Sequence, residues 1–172
     1  MKPLSDQFEP GKTLLAWWKD LDDNRAARAA LRRASTVTEV TLTPHYQRLY
    51  RRLCAVGWDD AGRAYRRDAL AAVAGLLTHV KHNDEQKFAV SMSKPAKDGD
   101  RPPVSQLRFM RLLESSDAEA LFVGLRRVLP LMDQRANVIA LSNDVIDWGD
   151  ARKKIKQKWA YDYLWPADNS KN

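Results

Sequence analysis

Apolar residues recur three and four positions apart along most of the chain, and that spacing limits its fold more than any other feature. Leu14, Trp17, Trp18 and Leu21 make one helical stripe, and Tyr46, Leu49, Tyr50 and Leu53 make a second. A longer one, from about Asp60 to His82, carries Tyr65, Ala69, Val73, Leu76, Leu77 and Val80 on its apolar side. Phe109, Leu112 and Leu113 face inward on VSQLRFMRLLES, while Leu121, Leu125, Val128, Leu129 and Met132 continue the pattern downstream. A short helix is expected around Val138–Leu141, followed by a long last one bearing Trp148, Ile155, Trp159 and Tyr163.

The punctuation agrees. Asp22, Asp23 and Asn24 can each cap the segment that follows, and Thr43-Pro44 pairs a capping hydroxyl with a first-turn proline. Gly57 suits a left-handed helix end, and Ser105 suits a helix start. Ser116 and Glu119 fit a capping box, and Asn143 or Asp144 would open the last helix. VTEVTLT alternates, but seven isolated residues make a poor sheet. The expectation is an all-α protein of two helical-bundle lobes, about eight helices in all.

A chain of 172 residues is one domain or two small lobes sharing a core. KPAKDGDRPP, residues 94–103, holds three prolines and a glycine in a polar run and reads as an exposed linker. It divides an N-terminal lobe, residues 1–95, from a C-terminal lobe, residues 96–172. The single cysteine, Cys54, excludes a disulfide framework and a Cys-based zinc finger, and its apolar neighbours suggest a small buried side chain. No apolar run approaches the ~18 residues of a membrane span, and MKPLSDQFEP lacks the apolar centre of a signal peptide. A cytoplasmic protein with no membrane contact is expected.

Catalysis finds little support. His79 and His82 stand three apart and could offer two imidazoles to one metal, but no HExxH motif or paired cysteine accompanies them. Asp144 and Asp147 read as a cap and a first-turn charge. There is no glycine-rich phosphate cradle and no nucleophile elbow. The chain is therefore expected to have no catalytic residue, metal or cofactor.

Charge placement says more than the net +7. Residues 25–67 hold ten arginines (Arg25, Arg28, Arg32, Arg33, Arg48, Arg51, Arg52, Arg63, Arg66 and Arg67) against Glu39, Asp59 and Asp60, so this region alone carries +7. Arg25, Arg28 and Arg32 fall at helical spacing and should line one solvent-facing stripe. A second group, Arg152, Lys153, Lys154, Lys156 and Lys158, sits on the last helix, and Arg126 and Arg127 follow Arg108 and Arg111. Guanidinium matches phosphate oxygens with a planar fork and stacks on bases. No helix-turn-helix, zinc finger or RNP motif is present, so strand contacts would be to phosphate. Trp17, Trp148 and Trp159 lie on apolar faces and read as core.

Taken in order, LLAWWKDL (14–21), ALRRAS (30–35), TPHYQRLY (43–50) with Gly57-Trp58, VSQLRFMRLLES (104–115), LRRVLPLM (125–132) and DWGDARKKIKQKWAYDYL (147–164) resemble the small subunit of the type I-E CRISPR Cascade surveillance complex, the CasB family. The resemblance implies a helical protein that makes no chemical step. Two copies would lie head to tail among the other Cascade subunits. They would hold the guide RNA–target DNA hybrid and the displaced non-target strand, while a separate nuclease–helicase cleaves. By motif the contacts fall on Arg32, Arg33, Arg48, Arg108 and Arg127, with Arg63, Arg152 and Lys153 where local spacing is less regular. Arg25, Arg28 and Arg126 join them by charge placement. FAVSMSKP (88–95) departs from the glycine-arginine stretch common in the family, so no contact is assigned there. The alternatives are a helical scaffold whose basic faces dock acidic proteins, and an RNA-processing enzyme using His79 and His82.

Overall fold

Three of the capping side chains read from the sequence, Asn24, Thr43 and Ser105, open helices in the fold. The computed structural model describes residues 2–168. In it Asn24 Oδ1 accepts from Ala27 N at 3.1 Å and opens α2 (Arg25–Arg33), which follows α1 (Glu9–Asp20). Thr36 opens the five-residue α3 (Val37–Thr41), and Thr43 Oγ1 accepts from Tyr46 N to open α4 (Pro44–Ala55). Gly57 takes a φ of 96° beyond it, a backbone region that costs glycine nothing. After α5 (Ala64–Leu77) and α6 (Phe88–Ser93), Ser105 opens α7 (Gln106–Leu113). The last three are α8 (Ala118–Val128), which runs into a 3-10 turn at Leu129–Met132, α9 (Val138–Ile146) and α10 (Lys154–Asp162).

The all-α expectation is met, with ten α-helices among the described residues where about eight were read. The two extra ones, α3 and α6, have five and six residues, too few to display a period. The alternation in VTEVTLT is therefore a short helix. His82–Asn83 and Arg135–Ala136 form a two-residue parallel bridge, the only strand pairing among the described residues.

Three boundaries differ for identifiable reasons. Asp117, rather than Ser116, caps α8 by accepting from Ala120 N at 2.9 Å. Glu119 instead reaches the start of α3 and accepts from Val37 N at 3.0 Å. The helix expected to run from residue 60 begins at Ala64, because Asp59 and Asp60 accept from Ala61 N and Gly62 N and hold a turn. The long last helix is two helices. Asn137 opens α9, and the chain breaks at residues 147–153, where Lys153 adopts a φ of 53°. Asp144 is not a cap: it is buried in α9 and accepts from Lys158 Nζ at 2.5 Å and Trp159 Nε1 at 2.7 Å. These bonds fold α10 back onto α9. Asn143 pins the N-terminal segment through two bonds with the Leu4 backbone, at 2.8 and 2.9 Å.

The core is organised around α5. Ala69 through Leu77 are all buried, so the helix is covered on every side, as expected of one that is apolar all round. It packs on α3, α8 and α9, and also on α2. Close approach of α8 depends on Gly75, where an added Cβ would lie 2.7 Å from the Phe122 ring. Trp17, Trp18, Trp58, Trp148 and Trp159 are buried, and buried apolar side chains from both sides of the 94–103 segment belong to one continuous cluster. Cys54, expected to be buried, is exposed: α4 turns Tyr46, Leu49 and Leu53 inward, and Cys54 falls on the outer side.

Candidate nucleic-acid interface

The last turn of α8 points one arginine to each side. Arg126 reaches the end of α2, its Nη2 donating to Arg32 O at 3.4 Å while its guanidinium lies 5.5 Å from the Phe122 ring centre. Arg127 turns the other way, into a groove of about 410 Å3 between α7 and α8 that Arg108 and Arg111 also line. Leu112, Val123, Gly124 and Val128 supply an apolar floor. Glu114 and Ser115 also line the groove, although Glu114 forms no ion pair with the arginines among the described residues. Thus Arg32, Arg126, Arg127 and Arg108, far apart in sequence, are gathered on neighbouring helices. Arg33 is exposed beside Arg32. Arg111, not among the expected contact residues, completes the groove. Its outward position on the α7 stripe was the available signal.

The other expected residues lie away from this groove. Arg25 and Arg48 are exposed on α2 and α4. The solvent-facing stripe expected on α2 is only partly realised. Arg28 and Arg32 are half-buried, and Arg28 pairs with Asp22 at 3.0 Å. Arg63 is exposed at the start of α5, where it donates to Tyr65 Oη at 3.4 Å. That bond, with the nearby Asp150 and Asp147 carboxylates, holds its pKa above the usual value. Arg152 and Lys153 are exposed in the turn before α10.

Ion pairing sorts the arginines further. Arg66, though counted in the basic run, is buried and pairs with Asp147 at 3.2 Å, and Arg67 pairs with Asp60 at 2.6 Å. Among the described residues, Arg25, Arg32, Arg33, Arg48, Arg108, Arg111, Arg126 and Arg127 make no ion pair. Their charge is felt nearby. His79 is buried at the end of α5 without a hydrogen-bond partner. Burial, then the Arg32 and Arg126 charges, push its pKa down to about 4. His82 is exposed in the strand bridge, so the two imidazoles do not present a shared face. Among the described residues no three His, Cys, Asp or Glu side chains come together as metal ligands, and no helix is long and apolar enough to cross a membrane.

Fold and surface together define an all-α protein with arginines on α2, α7 and α8 that make no ion pair among the described residues. The model of the CRISPR-associated protein Cse2 family matches residues 27–164, and the chain belongs to that family. It is a small subunit of the type I-E CRISPR Cascade complex, a structural component that works among other subunits. No curated protein and no solved structure matches the chain.

Proposed function

We propose that the chain is a non-catalytic strand holder. Its arginines grip the phosphates of the guide RNA–target DNA hybrid and of the displaced strand, and two copies act together in the complex. The observation that carries this reading is the last turn of α8, where Arg126 and Arg127 link the end of α2 to the α7–α8 groove. Arg32, Arg33, Arg108 and Arg111 extend that surface. Arg25, Arg28, Arg48, Arg63, Arg152 and Lys153 serve as outlying contact points. Exchange of a DNA duplex for an RNA–DNA hybrid is nearly balanced, so modest backbone contacts can tip it. Unpaired guanidinium is suited to the task because no internal carboxylate has to be displaced first.

The test is fluorescence anisotropy of labelled single strands against the isolated chain at rising salt. Combined Arg108→Ala, Arg111→Ala and Arg127→Ala should weaken binding about 10-fold or more. The log–log salt slope should flatten by about 2, from about 0.7 per lost contact on single strands. Unrelated sequences should suffer alike. An unchanged affinity and slope would refute the reading.

A second reading has one observation in its favour. Leu107, Met110 and Val123 are exposed on α7 and α8 among Arg108, Arg111 and Arg127. A mixed apolar and basic surface of this kind suits a protein partner with acidic and apolar side chains. In that case the triple variant loses the partner and keeps the strand.

A further inference from the structure

Five tryptophans are buried, and the sixth is held out. Trp165 is 43% exposed just beyond α10, yet it is not loose. Its indole N–H donates to Ala160 O at 2.7 Å, and its ring stands edge-on to Tyr163 at 5.0 Å and to Phe109 at 5.5 Å. Those two rings are themselves stacked, 4.0 Å apart and 11° from parallel. Tyr163 is fixed in turn by donating from its hydroxyl to Val104 O at 2.7 Å. The exposed ring is therefore oriented in advance by a rigid aromatic base, and a ligand would pay little ordering entropy to use it.

A second ring stands nearby in the chain. Tyr161 is 90% exposed and shares the outer stripe of α10 with Lys154, Gln157 and Lys158, all exposed at spacings of three, four and seven. Two carboxylates near this stripe are already engaged, and Asp150 before it accepts from Arg152 N. Asp144 is buried against Lys158, and Asp162 accepts from Lys87 at 2.9 Å. Lys154 makes no ion pair among the described residues, and Arg152 and Lys153 are exposed just before it. The exposed planar rings lie at the end of α10, and cations that make no ion pair among the described residues lie at its start, about 10 Å away at roughly 1.5 Å per residue. This layout suits a strand whose phosphates and unstacked bases span the helix. An acidic peptide would meet the cations but leave the ring faces without a planar partner.

We infer that α10 and the residues following it form a base-stacking platform for single-stranded nucleic acid, with bases on Tyr161 and Trp165 and phosphates on Arg152, Lys153 and Lys154. The inference rests on the reading that the chain binds nucleic acid but uses neither the α7–α8 groove nor its arginines.

Anisotropy with three labelled strands of equal phosphate count tests it: oligo-dT, oligo-rU and an abasic deoxyribose strand. The wild-type chain should prefer the base-bearing strands, and the dT and rU arms show whether DNA or RNA is the better ligand. Tyr161→Ala should cost dT or rU binding about 5-fold or more, leave abasic binding unchanged and leave the salt slope intact. Tyr161 is nearly free of contacts, so this variant folds. Trp165→Leu, which keeps an apolar group against Phe109, should act likewise, and wild-type tryptophan fluorescence should fall on binding dT but not the abasic strand. Equal wild-type affinity for dT, rU and abasic strands overturns the inference, as does a Tyr161→Ala chain that binds dT and rU normally. Tyr161-dependent capture of polyglutamate in place of the strands marks a protein site and also overturns it. If the abasic strand binds but ignores the groove arginines, the phosphate reading fails while this one stands. Absence of binding to all three overturns both.

Discussion

The start of α5 and the α7–α8 groove each carry three arginines, and the fold treats them oppositely. Around α5, carboxylates are delivered from elsewhere in the chain: Asp147 from the end of α9 meets Arg66, and Asp60 from the preceding turn meets Arg67. Arg63 stands in the field of Asp147 and Asp150. In the groove, Arg108, Arg111 and Arg127 surround an apolar floor and make no ion pair among the described residues, even though Glu114 lines the same groove. Arginine density along a sequence is thus a poor measure of available charge. What decides is whether the tertiary fold brings a carboxylate to each guanidinium.

The sharpest way to break this comparison is Arg66→Ala. The guanidinium is buried, so truncation removes packed methylenes as well as a buried ion pair, while half-exposed Asp147 recovers some solvation. We expect a loss of about 2–3 kcal/mol in urea unfolding and a Tm lower by about 5–10 °C. Strand affinity of the folded fraction should stay put. A variant of normal stability with weakened strand binding would put the start of α5 in the interface and erase the contrast.

The sequence makes half of this contrast visible. Most long apolar stripes fall on helices in the structure, because burial of one face leaves a period that residues alone display; the last stripe, from Trp148 to Tyr163, crosses a break before α10. Asn24, Thr43 and Ser105 are readable for a related reason: a cap acts on a backbone N–H two or three residues away. Glu119 shows where local reading stops. Its spacing from Ser116 fits a capping box, yet its carboxylate serves Val37, 82 residues earlier. Asp144 escapes local reading similarly, since its partners lie on a helix that folds back after a break. The arginines can all be counted in the sequence. Which of them are spent depends on pairings that periodicity does not display: Asp60 meets Arg67 through a local turn, and Asp147 meets Arg66 from the far end of α9.

A titratable reporter extends the comparison to the unpaired arginines on the α2 side of α8, across from the groove. His79 packs at the end of α5, with Arg32 facing it from α2 and Arg126 from α8, and its pKa is pushed down to about 4. The folded state therefore excludes a proton that the unfolded chain accepts below about pH 6.5. Stability from this group is complete above pH 6.5 and is lost as pH falls through that value toward 4. Urea unfolding across this range should show a loss on the order of 1–3 kcal/mol that His79→Gln removes. Arg126→Ala should raise the His79 pKa measured by NMR. If it does not, the guanidinium charge is screened, and the surface is less available than its lack of ion pairs implies.

The smallest effect belongs to Arg67→Ala and is informative for that reason. The Arg67–Asp60 bond is short at 2.6 Å, but Arg67 is 59% exposed, and its hydrogen bond holds the Asp60 pKa below the usual carboxylate value. An exposed pair gains little, because water screens both charges and two side chains must be ordered to meet. Removing the arginine should therefore leave urea unfolding nearly unchanged and should return Asp60 toward its ordinary titration, seen by carboxylate NMR. It also deletes one positive charge, as a groove substitution does. If net charge alone governed binding, Arg67→Ala and Arg127→Ala would weaken a single strand equally. If pairing decides, only Arg127→Ala does so, because the Arg67 charge is already answered by Asp60. Equal losses for the two variants would make net charge, not pairing, the variable that governs the surface.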